Sequence, residues 1–272
     1  MKACINEATT MNTDLLTDLQ AYAEAGFESV EVWIAKLEAL LEKGGSLDQV
    51  QTQMERVGIR AVAVCAQGGC LLADGQQRRT VLAELRRRLL FTRALGADVL
   101  TVYSESPEKV EPSDWEAAPR RLAEVADLAD EQGITIALEF IKGSRLIGSL
   151  ATAARVIAAA NRPNLGVAFD TFHFYAGISK MADLENLDVS RLALVHVNDV
   201  GDTPRETWTD ADRVLPGTGV LPLMEMLGLI HGKGYEGHVS LELFSRELWD
   251  ADPFTAARLA HEAMQQLLAG LT

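Results

Sequence analysis

An alternation that runs the length of the chain constrains the fold more than any other feature. Eight short apolar segments rich in β-branched residues recur at 2–6, 29–33, 59–66, 98–104, 134–140, 165–170, 192–198 and 238–244, with helically spaced stretches between them. Helical stretches such as "TDLLTDLQAYAEAG", "RTVLAELRRRLLFTRALG", "WEAAPRRLAEVADLADEQG" and "PFTAARLAHEAMQQLLAG" each close on glycine, which is favoured just past a helix C-terminus. Strand, helix, strand at this interval implies parallel strands joined by right-handed crossovers, and nearly continuous apolar strands imply cover on both sheet faces. Eight such units in 272 residues predict an α/β fold of the (β/α)₈ TIM barrel type, which typically takes about 250 residues. The barrel is expected to form one domain over residues 1–272, since no Pro- or Ser-rich linker divides the chain and no solenoid-length repeat appears. A doubly wound open sheet shares the alternation, but no GxGxxG turn follows the first strand.

Charge narrows the partners. With 25 Lys and Arg against 39 Asp and Glu the formal net charge is −14, a field that repels nucleic-acid phosphates and anionic membrane surfaces. A small-molecule partner is therefore expected, with no nucleic acid and no membrane, while homo-oligomerisation stays open. The triple arginine at 86–88 lies in a helical pattern with Glu84 and reads as a solvated face. The opening "MKACINEATT" is neither a signal sequence nor a membrane span, so a cytoplasmic location is expected. Cys4, Cys65 and Cys70 are odd in number and form no CxxC pair, which predicts buried thiols rather than a disulfide framework.

The chemistry is expected at the C-terminal ends of the strands, where barrel loops form a mouth. There the fifth strand ends in Glu139, the sixth ends in Asp170, the seventh carries His196 and the eighth carries Glu242. Taken singly, each has an ordinary reading as a loop ion pair or a hydrogen-bonded structural residue. Taken together, three carboxylates and an imidazole on consecutive strands would repel and protonate unless a counter-charge sits among them. One divalent metal ion removes that penalty, and a donor set rich in oxygen with one nitrogen suits Mn²⁺, Zn²⁺, Co²⁺ or Mg²⁺. His173, three residues after Asp170, and Arg213, on the long loop "TDADRVLPGTGVLPL", are candidate substrate-binding residues. The arginine could instead pair with Asp210 or Asp212. Trp33, Phe140, Phe172 and Trp208 are candidate pocket walls, with core packing the competing reading for Phe140 and Phe172.

The segments "CINEATT", "IALEF", "FDTFHFYAG", "LVHVND", "TDADRVLPGTG" and "SLELF" together resemble the xylose isomerase-like TIM-barrel sugar isomerase/epimerase superfamily, over most of the chain. Within it, "NEATT" and "TDADRVLPG" are similar to the branch acting on 2-keto-myo-inositol in inositol catabolism. The resemblance implies that Glu139, Asp170, His196 and Glu242 bind the metal, that Glu139 and Glu242 also serve as catalytic acid and base, and that His173 and Arg213 contact substrate. The implied activity moves the carbonyl of an unphosphorylated polyol ketone through a cis-enediolate. Ketose 3-epimerase and hydroxypyruvate isomerase activities would use the same groups, and a dehydratase is a further member of that class. Epimerase relatives commonly carry a second Glu six residues beyond the fifth-strand ligand, where this chain has Arg145. An endonuclease IV-like repair enzyme would need more histidines than the five present and a basic track. A non-catalytic sugar-binding barrel is the remaining alternative.

Overall fold

The computed structural model describes residues 1–271. Its barrel strands are β1 (Lys2–Asn6), β2 (Ser29–Trp33), β3 (Arg60–Gln67), β4 (Val99–Tyr103), β5 (Thr135–Glu139), β6 (Leu165–Asp170) and β7 (Leu192–Val197). A small antiparallel ribbon of β8 (Asp199–Val200) and β9 (Arg213–Val214) intervenes before the last barrel strand, β10 (His238–Leu241). The barrel closes in the order β1-β2-β3-β4-β5-β6-β7-β10, with β10 pairing back onto β1 in parallel. The eight expected strands are all present, but β10 stops at Leu241 rather than reaching 244, so Glu242 stands just beyond it. The ribbon was not foreseen. Two-residue strands carry no period to detect.

The strands read as almost uniformly apolar because their two faces are both buried, but the faces differ. Outward-facing Ile5, Val32, Leu100, Leu138, Phe169, Val197 and Leu241 are fully buried in the apolar core. Side chains alternate along a strand, so the inward positions hold Cys4, Glu31, Cys65, Thr101, Ala137, Ala168, His196 and Ser240, all at most 1% exposed. Barrel interiors are usually plugged by bulky branched residues. Here the plug is small and polar, so each buried polar group must find a partner inside. The three cysteines are free and buried, as expected.

Helix ends follow local chemistry. Asp14 caps the helix Leu15–Ala25 by accepting the amides of Leu16 and Thr17, and Gly26 ends it at φ +105°, a conformation that disfavours any Cβ. The final helix, Pro253–Ala269, departs from the expected pattern: Gly270 takes φ −72° and makes no left-handed turn. No helix among the described residues is long and apolar enough to cross a membrane.

The ribbon is what returns the long loop to the barrel mouth. Val200 pairs with Arg213, so the arginine re-enters the barrel opening. Asp199 fixes the return path by accepting the amides of Gly217, Gly219 and Leu221 at 2.8 to 3.0 Å. A Cβ on Gly219 would stand 2.3 Å from the Val200 carbonyl oxygen and 2.4 Å from Asp199 Oδ1, so this close approach admits only glycine.

Candidate active site

Glu139 ends β5, Asp170 ends β6, His196 lies one residue from the end of β7, and Glu242 follows β10. Strand register puts His196 beside Asp170 on one flank and beside Ser240 on the other. One candidate ligand atom from each of Glu139, Asp170, His196 and Glu242 falls within 4.8 Å of the others. All four are buried, none more than 6% exposed. His196 Nδ1 stands 3.0 Å from Glu139 Oε1 and 3.7 Å from Glu242 Oε2. Arg213 Nη1 donates at 2.9 Å to both Asp170 Oδ2 and Glu242 Oε2. Two amides complete the carboxylate shell: Asn6 donates to Glu242 Oε1 at 3.2 Å and Asn198 donates to Asp170 Oδ2 at 3.1 Å.

The proton affinities report crowded negative charge. Burial pushes the Glu242 carboxyl up to about 7, with Glu139 and Asp170 adding to the push against His196 and Arg213. Burial likewise raises Glu139, with His196 opposing and Asp170 reinforcing the shift. For Asp170, burial is outweighed by the Arg213 guanidinium and the neighbouring imidazoles, which hold it below the usual carboxylate range. Burial alone would lower His196, but Glu31, Glu242 and Glu139 lift it well above an ordinary histidine. Glu31, Glu139, Asp170 and Glu242 thus crowd around one guanidinium and one imidazole. Negative charge is in excess, and three carboxylates with one imidazole nitrogen fit a divalent cation on both charge and donor chemistry.

His173 and Arg213, both expected at the mouth, also reach this cluster. His173 begins the short helix Thr171–Ala176, whose N-cap is Asp170; Asp170 Oδ1 accepts the His173 amide at 2.7 Å. The His173 ring accepts the Lys142 amide on Nδ1 and meets Arg213 Nη2 through Nε2, each at 3.3 Å. Burial holds His173 below its usual proton affinity, against the pull of Asp170. Arg213 does pair with Asp210, at 2.6 Å, whereas Asp212 turns back to cap Thr209. Its guanidinium carbon lies over both the Phe172 and the Phe244 ring, 4.8 and 5.1 Å from their centroids, and its buried Nε has no hydrogen-bond partner among the described residues.

The cluster opens into a cavity of about 770 Å³ lined by Trp33, Gln67, Arg88, Tyr103, Ser104, His173, Arg213 and Phe244, among others. Of the expected aromatic walls, Trp33 lines this space. Phe140 packs on Phe169 in the core, and Trp208 stacks on Tyr175. Phe172 serves as the platform under Arg213. The triple arginine divides: Arg86 and Arg87 are exposed, but Arg88 turns inward to pair with Glu38 and Glu84 and to donate to Gln67 at 3.1 Å. Arg145 is exposed and bonds the Glu108 carbonyl, outside the cavity lining.

Glu31, Asn6, Asn198, Asp199 and Phe244 were missed by the sequence reading. Glu31 was readable, because an acid inside the apolar run "SVEVW" is the same signal as Glu139 in "ITIALEF". The two asparagines and Asp199 are ordinary turn residues in sequence, and only closure of the barrel gives them their partners.

The sequence model of the xylose isomerase-like TIM barrel family matches residues 19–268. The chain belongs to this family. It is 30% identical to an inosose isomerase of Halalkalibacterium halodurans, an alignment covering 99% of this chain and 97% of that protein. It is also 30% identical to an inosose isomerase of Bacillus subtilis, over 92% of this chain and 91% of the relative. Within the solved structures, the IolI protein with a bound zinc atom superimposes with a TM-score of 0.94 at 27% identity, covering 100% of this chain and 99% of that one. That neighbour's zinc agrees with the donor set found here, three oxygens and one nitrogen, in supporting a divalent metal.

Proposed function

We propose that the protein is a divalent-metal-dependent isomerase that moves the carbonyl of an unphosphorylated polyol ketone, 2-keto-myo-inositol (inosose), to a neighbouring carbon through a cis-enediolate. The observation that carries this reading is the convergence, at one cavity, of four cation-fitting side chains that include two carboxyls, Glu139 and Glu242. Two carboxyls facing the same space can divide the work, one taking a proton and the other returning it. The full-length similarity to inosose isomerases supports the choice of substrate.

Glu139, Asp170, His196 and Glu242 would hold the cation, which when bound supplies Lewis-acid polarisation of the substrate carbonyl. One carboxylate of the Glu139/Glu242 pair removes the proton from the carbon bearing the adjacent hydroxyl. The C–H electron pair becomes the enediolate double bond, and the other carboxyl delivers a proton to the former carbonyl carbon. The hydroxyl proton passes to the former carbonyl oxygen, so composition is unchanged. Arg213 and His173 line the cavity and are the side chains placed to meet a substrate oxygen. Trp33 and Phe244, whose rings meet edge to face at 6.0 Å, give the polyol ring an apolar wall.

The test is isotope exchange: manganese- or zinc-loaded protein incubated with 2-keto-myo-inositol in D₂O should place deuterium on carbon and yield an isomeric inosose. Glu139→Gln and Glu242→Gln should each slow both by about 10²- to 10⁴-fold. Near wild-type exchange in either variant would refute the two-carboxylate scheme. Turnover of hydroxypyruvate or a ketose without turnover of inosose would refute the substrate.

A further inference from the structure

We infer that Glu31 is the positioning residue of the cluster: from the far side of the ring it holds His196 Nε2 as a hydrogen-bond donor and so dedicates Nδ1 to the cation. This rests on reading the four side chains as a cation site. Glu31 is fully buried on β2, and His196 Nε2 lies 3.1 Å from its Oε1 and 3.0 Å from its Oε2. The opposite ring nitrogen, Nδ1, faces Glu139 and Glu242. Glu31 therefore lies outside the set of four and touches only the member that supplies nitrogen.

The carboxylate is itself clamped. Ser240 Oγ donates to Oε2 at 2.8 Å and Thr101 Oγ1 donates to Oε1 at 3.3 Å. With both oxygens already accepting from hydroxyls, Glu31 offers the imidazole an acceptor and nothing else. Without the cation both ring nitrogens face carboxylate oxygens; a cation among the four side chains would displace the proton on Nδ1, while Glu31 retains the one on Nε2, so the bound imidazole carries a single proton and turns its Nδ1 lone pair to the cluster. Rotating the ring by half a turn would set carbon against both Glu31 and Glu139. Glu31 thus selects both ring orientation and tautomer, and its charge makes the nitrogen a better donor to a cation. A purely structural role would need only a partner for Nε2, which a neutral acceptor could supply.

The readouts are zinc affinity and the protonation of the imidazole, neither of which requires turnover. In zinc-loaded protein labelled with ¹⁵N-histidine, His196 should show a protonated Nε2 and a metal-bearing Nδ1. Glu31→Gln should weaken zinc binding, measured by chelator competition, by about 10- to 100-fold, the range seen when such supporting carboxylates are lost. Ser240→Ala, which loosens the clamp but spares the charge, should weaken it in the same direction by less. A Glu31→Gln protein that is less stable without metal yet binds zinc as tightly as wild type would overturn the inference while leaving the cation reading intact. Failure of wild-type protein to bind zinc would sink both. Should Glu31→Gln not fold, the wild-type spectrum still decides: zinc on Nε2, or a proton on Nδ1, would overturn the assignment.

Discussion

The two ends of the barrel carry cavities of nearly equal size and unlike chemistry. At the C-terminal mouth about 770 Å³ opens over Glu139, Glu242, His173 and Arg213. At the N-terminal face about 730 Å³ is lined by Lys2, Arg60, Asp98 and His238. Lys2, Arg60 and Asp98 are exposed, where water screens each charge separately. The mouth groups are buried, so their charges act on one another, and burial together with like charge moves their proton affinities. Volume does not mark a site here; convergence of buried charge does.

The largest expected difference between the two ends is in rate. Glu139→Gln or Glu242→Gln should lower kcat on inosose by about 10²- to 10⁴-fold, the usual weight of a general acid or base. Asp98→Asn should leave it within about twofold, as expected for an exposed charge far from the mouth. A steady-state assay with matched metal loading checks both. Equal losses at the two ends would remove the functional contrast.

Next is stability without metal. Arg213 neutralises Asp170 and Glu242 at once, and removing one partner of a buried pair leaves the other charge stranded. Arg213→Met should therefore lower the unfolding free energy of metal-free protein by about 3–5 kcal/mol, read from urea titration. Arg60→Met, at the exposed end, should change it little. If both changes are small, the mouth is better hydrated than its burial indicates.

Acidity should separate the ends a third way. Glu242 is raised to about 7, so in metal-free protein its protonated form is favoured by the fold. That stabilisation is fully present below the ordinary carboxylate range and is lost as pH rises through about 7. Metal binding has the opposite slope, because protons compete for the Glu242 oxygen and the His196 nitrogen: manganese affinity should rise through neutrality, and the raised proton affinity of His196 extends the rise beyond it. A flat affinity profile from pH 6 to 8 would mean that Glu242 and the His196 Nδ1 position are already free of protons without the metal.

How far these contrasts were legible in sequence follows from what each feature depends on. The barrel was legible because strand and helix periods are local, and Glu139, Asp170, His196 and Glu242 were legible because polar groups in apolar strands stand out. Arg213 was placed near the mouth, but its simultaneous hold on Asp170 and Glu242 depends on the unforeseen ribbon and on Asp199 accepting the amides of Gly217 and Gly219. Arg88 looked like its exposed neighbours Arg86 and Arg87, since helical phase alone does not reveal that Gln67, on β3, accepts from its guanidinium at the cavity. Phe140 stayed open between pocket wall and core, and Trp208 read as a wall, because apolar residues look alike in sequence whether they face a ligand or the core. Glu31 failed for a different reason: its signal was present, but it stands earlier in the chain than the four consecutive strands that carry the others.

The smallest expected effect sharpens the comparison most, because the lower cavity holds one feature that mimics a site. His238 Nε2 is buried without a hydrogen-bond partner, and burial, with Lys2 and Arg60 nearby, depresses the ring's proton affinity. An isolated imidazole beside exposed, water-screened charges lacks the buried charge that would poise it for proton transfer. His238→Leu removes the unpartnered nitrogen and keeps an apolar body against the strand, so stability should rise by no more than about 1 kcal/mol, the lower end for an unsatisfied buried group. Neither kcat nor zinc affinity should move beyond about twofold, as for other changes remote from the mouth. A tenfold loss in either would mean that strand β10, which begins at His238 and delivers Ser240 and Glu242 to the mouth, transmits a change across the barrel. The two ends could not then be treated as independent.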